Sequence, residues 1–141
     1  MQRHLTLCAL LIAARANAAE PPATNSAAAA PASGLECHAI ARTDYDKALV
    51  EAKRKPGAKV SSFKFVTRIV YDTDNTADFF TRGSNKAHPA YVRRTVAING
   101  SDISIDTQGY TAGSASACAH WLKGFVAENA KIKAAIAKVQ P

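Results

Sequence analysis

From residue 41 onward the apolar and polar positions divide the chain into five segments, each with its own period. Ala41, Tyr45, Ala48, Leu49 and Ala52 recur at steps of three and four. That spacing predicts a helix capped by Thr43 or Asp44 and running to about Lys55, ended by Pro56-Gly57. Asp44 and Asp46 near its start and Lys53-Arg54-Lys55 at its end match the helix dipole, so the basic triplet needs no ligand to explain it.

Lys59 to Tyr71 alternates with period two and predicts one strand. Phe63, Phe65, Ile69 and Tyr71 fall on one face, and Val60, Lys64, Val66, Arg68 and Val70 on the other. Asn75 followed by Asp78 has capping-box spacing and predicts a short helix ending near Thr81, with Phe79-Phe80 tucked against the sheet.

Tyr91–Ile98 and Ser101–Gln108 flank Asn99-Gly100, the preferred pair for a two-residue type I′ hairpin turn. That turn sets Ile98 opposite Ser101, Val96 opposite Ile103 and Arg94 opposite Ile105 on the apolar face. On the other face it sets Arg93 opposite Asp106 as an ion pair. Arg94 is the misfit of the core face, where its head must reach an edge or an acid. A final helix opens at Ser114 or Ser116 and runs to about Val139. Its stripe is Cys118, Leu122, Phe125, Asn129, Ile132, Ile136 and Val139.

The order helix, strand, short helix, hairpin, long helix predicts an α+β fold. An antiparallel sheet of three or four strands packs against a long C-terminal helix and a shorter N-terminal helix, both on one face.

The first residues change the picture of where this domain works. Arg3 and His4, the apolar run Leu5–Ala14 and Ala16-Asn17-Ala18 follow the plan of a cleaved signal peptide, residues 1–18. The run is shorter than the roughly 20 residues needed to cross a bilayer, so no transmembrane span is expected. Residues 19–33 are rich in Pro and Ala and hold no large apolar side chain, which predicts a flexible linker. The single folded domain is then 34–141. The expected location is the periplasm or the exterior.

Cys8 leaves with the signal peptide, and Cys37 and Cys118 remain. Two cysteines in an exported chain predict one disulfide, tying the start of the domain to its last helix. Cys118 and His120, two apart on a helix, point away from each other and do not form a nucleophile pair.

Charge narrows the partners without naming one. From residue 34 on, sixteen basic residues face ten acidic ones. The excess is spread out, and an exported protein does not meet nucleic acid. A merely solvated basic face is the leading reading, and a mild affinity for anionic surfaces is the alternative.

Candidate chemistry is thin. His38, His88 and His120 lack metal-ligand spacing. Asp72, Asp74, Asn75 and Asp78 are the densest group of oxygen ligands, but Ala77 and Gly83 stand where a calcium loop needs its glycine and its final acid. Gly113-Ser114-Ala115-Ser116-Ala117 does not match a nucleophile elbow. No metal, cofactor or catalytic residue is assigned.

A signal peptide, a Pro/Ala tether and a small one-disulfide α+β domain share their architecture with exported binding, inhibitor and immunity proteins, although architecture does not fix function. The leading expectation is recognition of another periplasmic or secreted protein without catalysis. An accessory envelope protein comes second and a small periplasmic enzyme third. A binding surface would combine the loop Arg82–Pro89 with the link Gln108–Gly113, where Arg82, Lys86, His88, Tyr91 and Tyr110 offer donors and amphipathic rings.

Overall fold

The computed structural model describes residues 35–141. The expected signal peptide and linker lie outside the described residues. Within them the order is β1 (Cys37–Ala39), α1 (Arg42–Arg54), β2 (Ala58–Ser62), β3 (Val66–Tyr71), β4 (Thr76–Thr81), β5 (Ala90–Asn99), β6 (Asp102–Thr111) and α2 (Ala115–Val139). The fold is α+β, with one six-stranded mixed sheet in the order β1-β6-β5-β4-β3-β2. Strands β2 to β6 form an antiparallel meander, and β1 adds to β6 in parallel.

This sheet corrects the expected three or four antiparallel strands in three places. Lys59–Tyr71 is two strands, not one: the chain reverses at Phe63–Phe65, and β2 pairs back on β3 with Val60 beside Ile69. The segment read as a short helix after Asn75 is β4, an interior strand held between β3 and β5. Sheet pairing on both sides satisfies its backbone and overrides the local capping signal. Asn75 sits instead in the β3–β4 turn with a positive φ of 49°. The short parallel strand β1 was not anticipated.

The helices lie on opposite faces of the sheet, not on one. Adjacent strand residues point to opposite faces, and Phe80 packs edge-on against Tyr45 of α1 whereas Phe79 packs on Phe125 of α2. The topology explains α1's path. Strands β1 and β2 are the two edges of the sheet, about 24 Å apart across five gaps. The 13 residues of α1 span about 20 Å, and the linking residues 40–41 and 55–57 cover the remainder of the crossing. Tyr45 and Ala52 are buried there with Ile69, Tyr71, Phe80 and Tyr91. The N-cap of α1 is Ala41, two or three residues earlier than expected, and Asp44 accepts from the Ala41 N–H (3.4 Å).

Helix α2, capped by the Ser114 hydroxyl (3.2 Å from the Ala117 N–H), runs along the other face. Its buried stripe reads Cys118, Leu122 and Ile136, and Ile132 and Ile136 cover Val96, Ile103 and Ile105 near the hairpin turn. Arg94 is only 2% exposed on this face. Its guanidinium lies near the rings of Phe79 and Phe125, donates to the Phe125 carbonyl (2.9 Å) and stands 3.5 Å from Glu128. Burial lowers its pKa.

The β5–β6 register is two residues off the expected one. Ile98 pairs with Ile103, Val96 with Ile105 and Arg93 with Gln108. The two-residue loop is therefore Gly100-Ser101, with Gly100 at φ +61°, the positive value that the first position of a type II′ turn requires. A slip of two leaves every side chain on its original face, so Val96, Ile98, Ile103 and Ile105 still share one face. Only the cross-strand partners change.

Cys37 and Cys118 form the disulfide, with Cα atoms 6.1 Å apart. It joins β1 to the first turn of α2. Among the described residues no helix is long and apolar enough to cross a membrane.

Candidate functional site

Two regions gather exposed or reactive side chains. The first is the end of the sheet where β2 turns into β3 and β4 runs into β5. The β2–β3 turn is Phe63-Lys64-Phe65, closed by the Phe63 N–H donating to the Val66 carbonyl (2.8 Å). The segment 82–85 clamps it from outside. Arg82 donates through its guanidinium to the Phe63 carbonyl (2.7 Å), and the Ser84 hydroxyl donates to the Lys64 carbonyl (3.0 Å). The Phe65 carbonyl accepts from the Arg82 N–H (3.0 Å) and the Asn85 amide (3.3 Å). Three consecutive carbonyls are thus satisfied within the fold, and the turn is held as a unit.

What this turn presents is apolar and cationic. Phe63 and Phe65 are 49% and 48% exposed. The Lys64 ammonium lies 5.1 Å from the Phe65 ring and the Arg68 guanidinium 5.5 Å from the Phe63 ring. Residues 52–71 and 79–101 contain no acid. Among the described residues, Lys64, Arg68, Arg82 and Lys86 take part in none of the ion pairs, which lie elsewhere on the sheet and helices.

The anticipated binding residues divide between this end and the sheet. Arg82 and Lys86 are exposed here. His88 turns inward, with its ring edge-on to Tyr45 at 5.6 Å and Nδ1 3.1 Å from both the Thr81 hydroxyl and the Thr81 carbonyl. Tyr91 is buried in a stack between Phe80 (4.8 Å) and Tyr110 (4.6 Å). Tyr110 is half-buried and donates to the Gln108 side chain (2.7 Å). The two expected segments do meet, because the Ala112 N–H donates to the Pro89 carbonyl (2.9 Å).

The second region is a cleft of about 540 Å³ between the C-terminal half of α1 and the sheet, bordered by Ala52, Lys55, Tyr71, Tyr91 and Arg93. Beside it, Asp78 is fully buried. Arg93 donates to it from Nε (2.7 Å) and Nη2 (2.9 Å), and the Tyr71 hydroxyl adds a third bond (3.0 Å). The hydrogen bond to Asp78 raises the Arg93 pKa further. Burial, with Asp78 beside it, raises that of Tyr71, and burial pushes Tyr91 up to about 12. Both phenols stay protonated at neutral pH, and that of Tyr71 serves as a donor to Asp78. Lys55 pairs with Asp74 and lies over the Tyr71 ring at 4.5 Å. The Lys55 hydrogen bond lowers the Asp74 pKa. Among the described residues no three His, Cys, Asp or Glu stand together as metal ligands.

The Phe63–Phe65 turn was missed in the sequence because it lacks Gly, Pro, Asn and Asp, the residues that mark turns. One signal was available: a 13-residue strand is about twice the usual length. No protein-family model, curated protein or solved structure matches this chain.

Proposed function

We propose that the protein is a small exported module that acts by recognition, without catalysis, through the end of the sheet built from Phe63–Phe65 and residues 82–86. The observation that carries this reading is the clamp: Arg82, Ser84 and Asn85 spend their donors on the three carbonyls of the turn, which holds two half-exposed phenylalanines beside cations that join no ion pair among the described residues. Large rings left in water cost free energy, and a rigid scaffold presenting them on loops is the arrangement recognition uses. In the cleft, by contrast, the carboxylate of Asp78 is already engaged by Arg93 and Tyr71. The disulfide fits an oxidising compartment, as export requires.

Lysine acylation footprinting tests the reading. In an envelope extract of the producing cell, Lys64 and Lys86 should lose reactivity at least about fivefold, equivalent to about 1 kcal/mol of protection, while Lys131 and Lys138 on α2 keep theirs. Equal reactivity at all four lysines rejects the reading.

A further inference from the structure

We propose that the partner of this end is an anionic lipid surface, with the Phe63 and Phe65 rings entering the interface and Lys64, Arg68, Arg82 and Lys86 facing the headgroups. The proposal rests on the reading of this end as the recognition surface and names what it recognises.

The backbone decides whether such a turn can leave water. A carbonyl carried into an apolar layer without a partner is costly. Here the carbonyls of residues 63, 64 and 65 each accept a hydrogen bond from 82–85, so the turn carries its own partners with it. The side chains then supply the two terms of interfacial binding, buried apolar area and attraction to anionic headgroups. Phe63 and Phe65 are about half exposed. Lys64, Arg82 and Lys86 stand on two neighbouring loops that contain no acid, and Arg68 stands on β3 beside the Phe63 ring. The acids near this end, Asp44 and Asp46, belong to α1, where Asp46 is paired with Arg42.

A fluid array of headgroups suits these cations better than a protein surface does. Lys64 and Lys86 are point charges on flexible stems, which tolerate varied spacing. Arg82, the residue suited to bidentate recognition, already spends a donor on the Phe63 carbonyl. Among the described residues, edge strand β2, which leads into the turn, has no neighbour on its outer side, so no described strand stands between the turn and a flat surface.

Flotation of the purified chain with phosphatidylglycerol-containing vesicles at low salt, and with pure phosphatidylcholine vesicles, tests the proposal. The chain should float with the first and not with the second. The pair Phe63→Ser, Phe65→Ser should weaken binding at least about tenfold. The pair Lys64→Glu, Lys86→Glu should lose more than the roughly fivefold per basic residue expected at such a surface. Ile98→Ser, at the other end of the sheet, should bind like the unmodified chain, and circular dichroism should show every variant folded. Failure to float with anionic vesicles, or flotation indifferent to the phenylalanine pair, overturns the lipid proposal. If Lys64 and Lys86 are then protected by an extract freed of membranes, the partner is a soluble macromolecule and only the lipid assignment falls. If they are not protected there either, the recognition reading falls with it.

Discussion

Arg93 grips Asp78 of the neighbouring strand β4 with two guanidinium nitrogens, at 2.7 and 2.9 Å, and not Asp106 on its own hairpin. Asp78 is fully buried, while the Arg93 side chain keeps 28% of its exposure and borders the cleft under α1. Removing one partner of a buried pair leaves the other uncompensated, at a cost of about 3–5 kcal/mol.

Arg93→Met should therefore lower stability by about 3–5 kcal/mol, and Asp78→Ala by less, because the arginine left behind is partly solvated whereas the carboxylate is not. The double variant should be less damaged than the two losses added together. Urea unfolding of the four proteins measures this, and strict additivity would mean that the pair does not act as a unit.

The tyrosine stack sets an alkaline limit. Burial raises the pKa values of Tyr71, Tyr91 and Tyr110, Tyr91 to about 12. A folded-state pKa above the unfolded value near 10 gives stability that is complete below pH 10 and lost as pH rises through the folded value. Tyr91 alone should account for about 2–3 kcal/mol between pH 10 and 12. No hydrogen bond is made by its hydroxyl among the described contacts, so Tyr91→Phe should cost less than about 1 kcal/mol at pH 7 and flatten the alkaline limb. An unchanged limb would remove Tyr91 from the account.

Gly109 of β6 lies under the disulfide. A Cβ there would come 2.5 Å from the Cys37 sulfur and 3.2 Å from Leu122 Cδ2. Gly109→Ala should cost about 1–3 kcal/mol through overpacking. Much of that penalty should disappear in a Cys37→Ala, Cys118→Ala background, where the sulfurs are gone. That background should itself lose up to about 4–5 kcal/mol, since the bridge closes a loop of 81 positions. An equal Gly109→Ala penalty in both backgrounds would place the clash elsewhere.

These relationships show which parts of the fold were legible. Both helices were, because Tyr45, Ala48, Leu49 and Ala52, and then Cys118, Leu122 and Ile136, mark a helical period that tertiary packing reinforces. The hairpin strands and the disulfide were legible for the same reason: alternation and an even cysteine count are local signals. The β2–β3 break was hidden because Phe63 and Phe65 keep the parity of Ile69 and Tyr71, so the alternation runs through a turn whose support comes from residues 82–85. Strand β4 was hidden because Asn75 and Asp78 mimic a helix cap, while the partner that claims Asp78, Arg93, is fifteen positions away. At the candidate site, Arg82 and Lys86 were anticipated. The phenylalanines they stand beside were assigned to a strand face.

The central claim, that the chain works through the Phe63–Phe65 end, is tested most directly by a photo-crosslinking phenylalanine analogue placed at position 65 or at position 98 in the producing cell. Both positions are exposed, at 48% and 37%, and they lie at opposite ends of the sheet. The account predicts adducts, to lipid or to protein, from position 65 and none above background from position 98. Adducts from position 98 alone, or equal yields from both, would contradict it.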